Sequence, residues 1–166
     1  FFPLLLIALS VAARVFGKNL AFEMGDLDQA ERLYAETAVR TDDPGLVSFN
    51  RGVLSLRREQ FREAELHFRR ALEDSLIPES RKGRAWYNLG NALLKQAGDS
   101  APRLRSAVGC YENALDAIPE GEPLRDDARH NLELAKLLWA KANAKSPRPN
   151  SPDEEPPERQ PTPRKE

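Results

Sequence analysis

Apolar side chains recur three and four positions apart through most of the chain, the period of a helix with one buried stripe. The periodic stretches are separated by clusters of Gly, Pro and Asp, as in Asp42-Asp43-Pro44-Gly45 and Pro119-Glu120-Gly121-Glu122-Pro123. The pattern predicts helices over about residues 14–24, 27–39, 45–58, 61–73, 82–96, 104–117 and 124–144. In order, these make three helix pairs and a last helix that closes the stack. The two ends do not share the period. Residues 1–13, FFPLLLIALSVAA, are uncharged and mostly apolar, with no polar alternation. Residues 146–166 hold seven of the thirteen prolines and no large apolar residue. The chain therefore divides into 1–13, 14–145 and 146–166.

The first segment reads as a signal-peptide or membrane-anchor remnant. Its length fits the apolar core of an export signal but falls short of the roughly 20 residues that cross a bilayer as a helix. Ser10-Val11-Ala12 and Val11-Ala12-Ala13 both resemble the small-x-small pattern of a signal cleavage site. With no Met and no basic flank ahead of the run, the chain reads as shortened at its front. The other reading makes the run a buried helix of the fold. The last segment reads as a disordered, Pro- and charge-rich tail, because proline removes donors and nothing apolar offsets the ordering entropy.

The middle segment repeats itself. Phe49-Asn50-Arg51-Gly52 aligns with Tyr87-Asn88-Leu89-Gly90 and with His130-Asn131-Leu132-Glu133. Downstream, Ala64, Phe68, Ala71 and Leu72 match Ala107, Tyr111, Ala114 and Leu115, and Ala30 and Tyr34 give a weaker third copy. These residues resemble the tetratricopeptide repeat, whose signature runs W-x₂-L-G-x₂-Y, A-x₃-F, P. The fullest copy is Trp86, Leu89, Gly90, Leu93, Ala107, Tyr111, Ala114 and Pro119. The resemblance covers about residues 14–144. It implies an all-α solenoid of three helix pairs plus a C-terminal closing helix. Gly52 and Gly90 let paired helices cross closely, and Phe68 and Tyr111 fill the space between them. No pair buries its apolar face alone, so stacking supplies the core. Gly52 to Ala64 spans twelve residues but Gly90 to Ala107 spans seventeen. This five-residue insertion around 98–102, and the extra residues around 77–81, are expected to form exposed loops.

In such a stack the first helices of each pair line a concave face. Asn19, Asn50, Asn88 and Asn131 would recur along it, with Val53 and Asn91 beside them and Arg57, Arg84 and Lys95 at its edges. Amides offer one acceptor and two donors, which suits an extended peptide backbone. The other reading is that the amides satisfy neighbouring backbone and that Phe49 and Tyr87 are core. Co-chaperones of the tetratricopeptide family grip a C-terminal carboxylate with two Lys, two Asn and an Arg. Here Asn19, Asn50 and Arg84 match, but Val15 and Asn88 stand where a Lys and the Arg should be. A buried carboxylate needs paired charge, so this chain departs from that clamp.

The chain also resembles, end to end, exported tetratricopeptide proteins of bacterial aerotolerance (Bat-type) operons. The carrying residues are Asn19, Gly25-Asp26-Leu27-Asp28-Gln29-Ala30, Tyr87 to Gln96, Ala128 to Glu133, and the polar tail. The departures are the insertion at 97–106 and a Pro-rich tail. That resemblance implies a non-enzymatic adaptor at the cell envelope beside von Willebrand factor A membrane proteins, associated with the membrane through its N-terminus. The alternative is a soluble, cytoplasmic assembly or co-chaperone adaptor that binds peptide segments.

Composition narrows the chemistry. The 166 residues carry 25 basic and 26 acidic side chains, net −1, without the basic excess of a nucleic-acid binder. One Cys and two His exclude a disulfide framework and a Cys₄ or Cys₂His₂ zinc site. His67 and His130 have no metal-ligand spacing, Cys110 reads as a small buried residue, and there is no glycine-rich phosphate loop. No catalytic residue, metal or cofactor is expected.

Overall fold

The computed structural model describes residues 26–38 and 43–145, and every regular element among them is an α-helix. In chain order these are α1 (Leu27–Ala38), α2 (Pro44–Arg57), α3 (Phe61–Leu72), α4 (Glu79–Ala97), α5 (Ala101–Ala117) and α6 (Pro123–Lys145). Each helix packs on the next, and lighter contacts join α2 to α4 and α4 to α6. The expected helix over 14–24, residues 1–13 and the tail lie outside the described residues.

Two helix pairs repeat one packing scheme. A Cβ on Gly52 would lie 2.7 Å from the Phe68 ring, and a Cβ on Gly90 would lie 2.7 Å from the Tyr111 ring. Only glycine leaves room there. Phe49 meets Phe68 edge-on at 5.8 Å, and Tyr87 meets Tyr111 at 6.1 Å with a similar tilt. Ala64, Ala71, Ala107 and Ala114 are all fully buried, as the close approach of partner helices requires. Phe68, Tyr111 and Leu89 anchor the main core, with Trp86 packed at its edge. Burying one such ring contributes about 1.5–3 kcal/mol.

Polar ties hold the helix ends. The Asp43 carboxylate accepts from the Leu46 N–H at 2.7 Å, which caps α2, and takes two 2.9 Å bonds from Arg81 of α4. The guanidinium holds the Asp43 carboxyl below its ordinary range. Gln96 near the end of α4 donates to the Phe61 carbonyl at 3.0 Å, joining α4 to α3. Arg125 donates to the carbonyls of Leu115 and Ile118, acceptors left open by the end of α5. At the other end of the array α1 forms a separate small cluster in which Ala30 and Tyr34 meet Leu54. Arg58 pairs with both Asp28 and Glu31 across that junction.

The loop expected around 98–102 does not form. The turn from α4 to α5 has three residues, 98–100, as does the turn from α2 to α3, 58–60. Relative to the earlier pair, α4 runs two residues further and α5 begins three residues sooner, which absorbs the insertion. The reason is apolar. Ala97 and Leu104 of the lengthened hairpin bury against Ala142, with Ala101, Leu138 and Trp139 around them. Pro102 fits because the first turn of a helix needs no donor there. Residues 79–81, expected in a loop, likewise belong to the first turn of α4, and the preceding link keeps Leu76 exposed.

α6 ends the series differently. Where α2 has Gly52 and α4 has Gly90, α6 has Glu133, an exposed side chain paired with Lys136. The ring-on-glycine crossing of the two pairs therefore has no counterpart at this place on α6.

Candidate partner-binding face

On α2, Leu46, Asn50, Val53 and Arg57 are spaced by four, three and four, so they share one stripe. Arg84, Asn88, Asn91 and Lys95 occupy the same places on α4, and Asp127, Asn131, Leu134 and Leu138 on α6. The end members Leu46, Arg57, Arg84, Lys95 and Asp127 are exposed, whereas Asn50, Val53, Asn88, Asn91 and Asn131 are half-buried. The contacts of α4 with both α2 and α6 make the three stripes neighbours. Asn19 lies outside the described residues.

The amides on this face do not share one environment. Asn131 Nδ2 donates to Asn91 Oδ1 at 3.0 Å and lies 3.3 Å from the Tyr87 hydroxyl, which accepts. Tyr111 reaches under Gly90 and donates its hydroxyl to the same Asn91 Oδ1 at 2.8 Å. Burial and the neighbouring Tyr87 keep the Tyr111 phenol well above its ordinary range, so it remains a donor. Asn91 and Asn131 are thus held inside the fold. Asn88 occupies, one repeat earlier, the place of Asn131. The residues corresponding to its partners are Phe49 and Val53, and neither has an oxygen. Asn88 makes no hydrogen bond among the described residues, and neither does Asn50. Two half-buried amides in equivalent places therefore have no hydrogen-bond partner among the described residues.

The sequence missed the network because repeat alignment rewards sameness. The informative signal was a set of three differences: Phe49, Val53 and Phe68 in one repeat, Tyr87, Asn91 and Tyr111 in the next. Phe49 and Tyr87 turn toward Phe68 and Tyr111 as partly buried core.

Electrostatically the face is one-sided. The stripes of α2 and α4 carry Arg57, Arg84 and Lys95 and no acidic residue, while α6 contributes Asp127. Elsewhere, Cys110 is buried in the core, and that burial pushes its thiol up to about 11. His67 is held below its ordinary range by burial and by Arg51 and Arg70. Among the described residues no group of three or more His, Cys, Asp and Glu could hold a metal ion. No helix among them is long and apolar enough to cross a membrane. Comparison with protein-family models and with curated proteins gives no match to this chain.

Proposed function

We propose that the chain is a tetratricopeptide-type solenoid that acts as a non-enzymatic scaffold and binds an extended protein segment along the α2–α4–α6 face. The observation that carries this reading is the contrast between Asn131 and Asn88. The same amide is paired internally in one repeat and left unpaired in the previous one, because Phe49 and Val53 stand where Tyr87 and Asn91 would accept. The Asn88 amide is not among the buried unpartnered groups, so it is reachable from outside, and a peptide backbone offers it donors and acceptors at any sequence. Asn50 extends the same chemistry one helix further. The resemblance to Bat-type proteins supports an adaptor at the bacterial cell envelope that works beside von Willebrand factor A membrane proteins.

Affinity capture from solubilised envelope with the full chain tests the reading. Recovery of von Willebrand factor A proteins is expected. Asn50→Ala with Asn88→Ala should weaken that capture without lowering the melting temperature. Phe49→Tyr with Val53→Asn should weaken it as well, by giving Asn88 an internal partner. Capture unchanged in both variants would move the site off this face. Recovery of cytosolic chaperones instead would overturn the envelope assignment.

A further inference from the structure

Along α6, Asp127, His130, Leu134, Leu137, Lys141 and Ala144 follow one another at spacings of three, four, three, four and three. A period of 3.5 is the seam along which two helices pack side by side. All six residues are exposed, on the side of α6 away from the buried Ala128, Leu132, Ala135 and Ala142. Among the described residues Leu137, 67% exposed, is the most open large apolar side chain on any helix, and Leu134 is 40% exposed. Two open leucines at the middle of one seam differ from singly scattered surface residues, which need no explanation. The charges on the seam say what covers it. Asp127 stands near its N-terminal end and Lys141 near its C-terminal end, and neither side chain forms an ion pair or hydrogen bond among the described residues. Lys141 lies near Asp99, but Lys145 already bonds that carboxylate. A second copy of the chain, turned end for end, matches this pattern. A two-fold axis between Leu134 and Leu137 sets each Leu134 against the other copy's Leu137, His130 against Lys141, and Asp127 against Ala144. Ala144 is small, and Lys141 stands only three residues, about 4.5 Å along the axis, from it. The long Lys141 side chain therefore reaches Asp127 of the other copy, and symmetry makes the contact twice. Opposed helix dipoles favour the same arrangement. A parallel pair would instead set Asp127 against Asp127 and Lys141 against Lys141. Glu133 keeps its Lys136 partner beside the seam, with no ring seated over it.

We infer that the chain pairs with a second copy of itself through α6, antiparallel, with Leu134 and Leu137 at the centre and Asp127–Lys141 contacts at both ends. The seam runs about 26 Å from Asp127 to Ala144. One helix pair of that length is a small interface, so the association is weak and depends on concentration. It occupies Asp127 and Leu134 at the α6 edge of the candidate face and leaves Asn50 and Asn88 open. The pair then offers two such faces in one particle, which strengthens the hold on a partner that carries two segments. The pairing itself does not rest on the proposed function.

Sedimentation equilibrium of the full chain, from about 10 μM to about 1 mM, tests the pairing. The mass should rise from 18.7 kDa toward twice that value. Leu137→Glu should hold the chain at the monomer mass without lowering the melting temperature, because the side chain is largely exposed. Asp127→Lys and Lys141→Asp should each weaken the association about 5-fold, the loss of two exposed ion pairs. An equimolar mixture of these two variants should recover it, because every mixed pair again sets Lys against Asp. A monomer at all concentrations would overturn the inference, as would association that survives Leu137→Glu. Charge variants that associate like the unaltered chain, or a mixture no tighter than either variant alone, would overturn the antiparallel seam. If Asn88→Ala reduces partner capture while the chain stays monomeric, the proposed function stands and this inference alone falls.

Discussion

The pairs α2–α3 and α4–α5 fold by one scheme and use it to different ends. Both press an aromatic ring against a glycine, Phe68 on Gly52 and Tyr111 on Gly90, and both brace that ring with a second aromatic from the first helix. In α4–α5 the rings carry hydroxyls, which meet Asn91 and Asn131 and seal the polar groups of that junction to one another. In α2–α3 the rings are phenylalanines, Val53 replaces the asparagine, and the neighbouring Asn88 has no hydrogen-bond partner among the described residues. Two oxygens and one amide separate a junction that is internally satisfied from one that is open to an outside ligand. The packing is the shared part. The polarity where the packing meets the surface is what distinguishes one repeat from another.

Breaking the shared part should have the largest effect. Phe68→Ala removes a fully buried ring and should cost about 3–5 kcal/mol, read by urea denaturation. Gly90→Ala comes next. Its new Cβ would overlap the Tyr111 ring, and overpacking costs about 1–3 kcal/mol, more than the roughly 0.5–1 kcal/mol that alanine gains in a helix interior. A stable Gly90→Ala protein would show that the ring shifts freely and that the close crossing is not required. Tyr111→Phe probes the polar difference itself. It converts the second pair toward the first, and loss of the hydroxyl to Asn91 should cost about 0.5–1.5 kcal/mol in the same assay. No change would mean that Asn91 is satisfied by Asn131 alone. The smallest effect has the opposite sign. Gly109 lies in α5 with nothing within 4 Å of a Cβ, so Gly109→Ala should stabilise by about 0.5–1 kcal/mol, read as a higher melting temperature.

Much of the helical order was legible because period and punctuation act locally. All six of the described helices begin and end within three residues of their expected bounds, and Gly52 and Gly90 meet Phe68 and Tyr111 while Ala64 and Ala107 are buried. The insertion was misread because spacing counts residues without saying whether they are helical. Its sequence did contain the answer: Ala97, Ala101 and Leu104 keep intervals of four and three, and a proline in a first turn starts a helix as well as it ends one. Distant Ala142 and Trp139 decide the outcome, and that contact is not visible in any local window. The face was half legible. Asn50 and Asn88 stand out by recurrence alone, but the different fate of Asn91 and Asn131 depends on hydroxyls that arrive from another helix.

Glu133 stands on α6 where the first helices of the two pairs carry glycine. A series built by copying helix pairs can in principle be extended at its end by copying once more, or by a second molecule offering its own helix. At α6 the next ring would have to settle over a carboxylate paired to Lys136, and stripping water from that charge would cost more than the ring could return. Growth by duplication at this edge, by the same ring-on-glycine crossing, would first require Glu133 to become small.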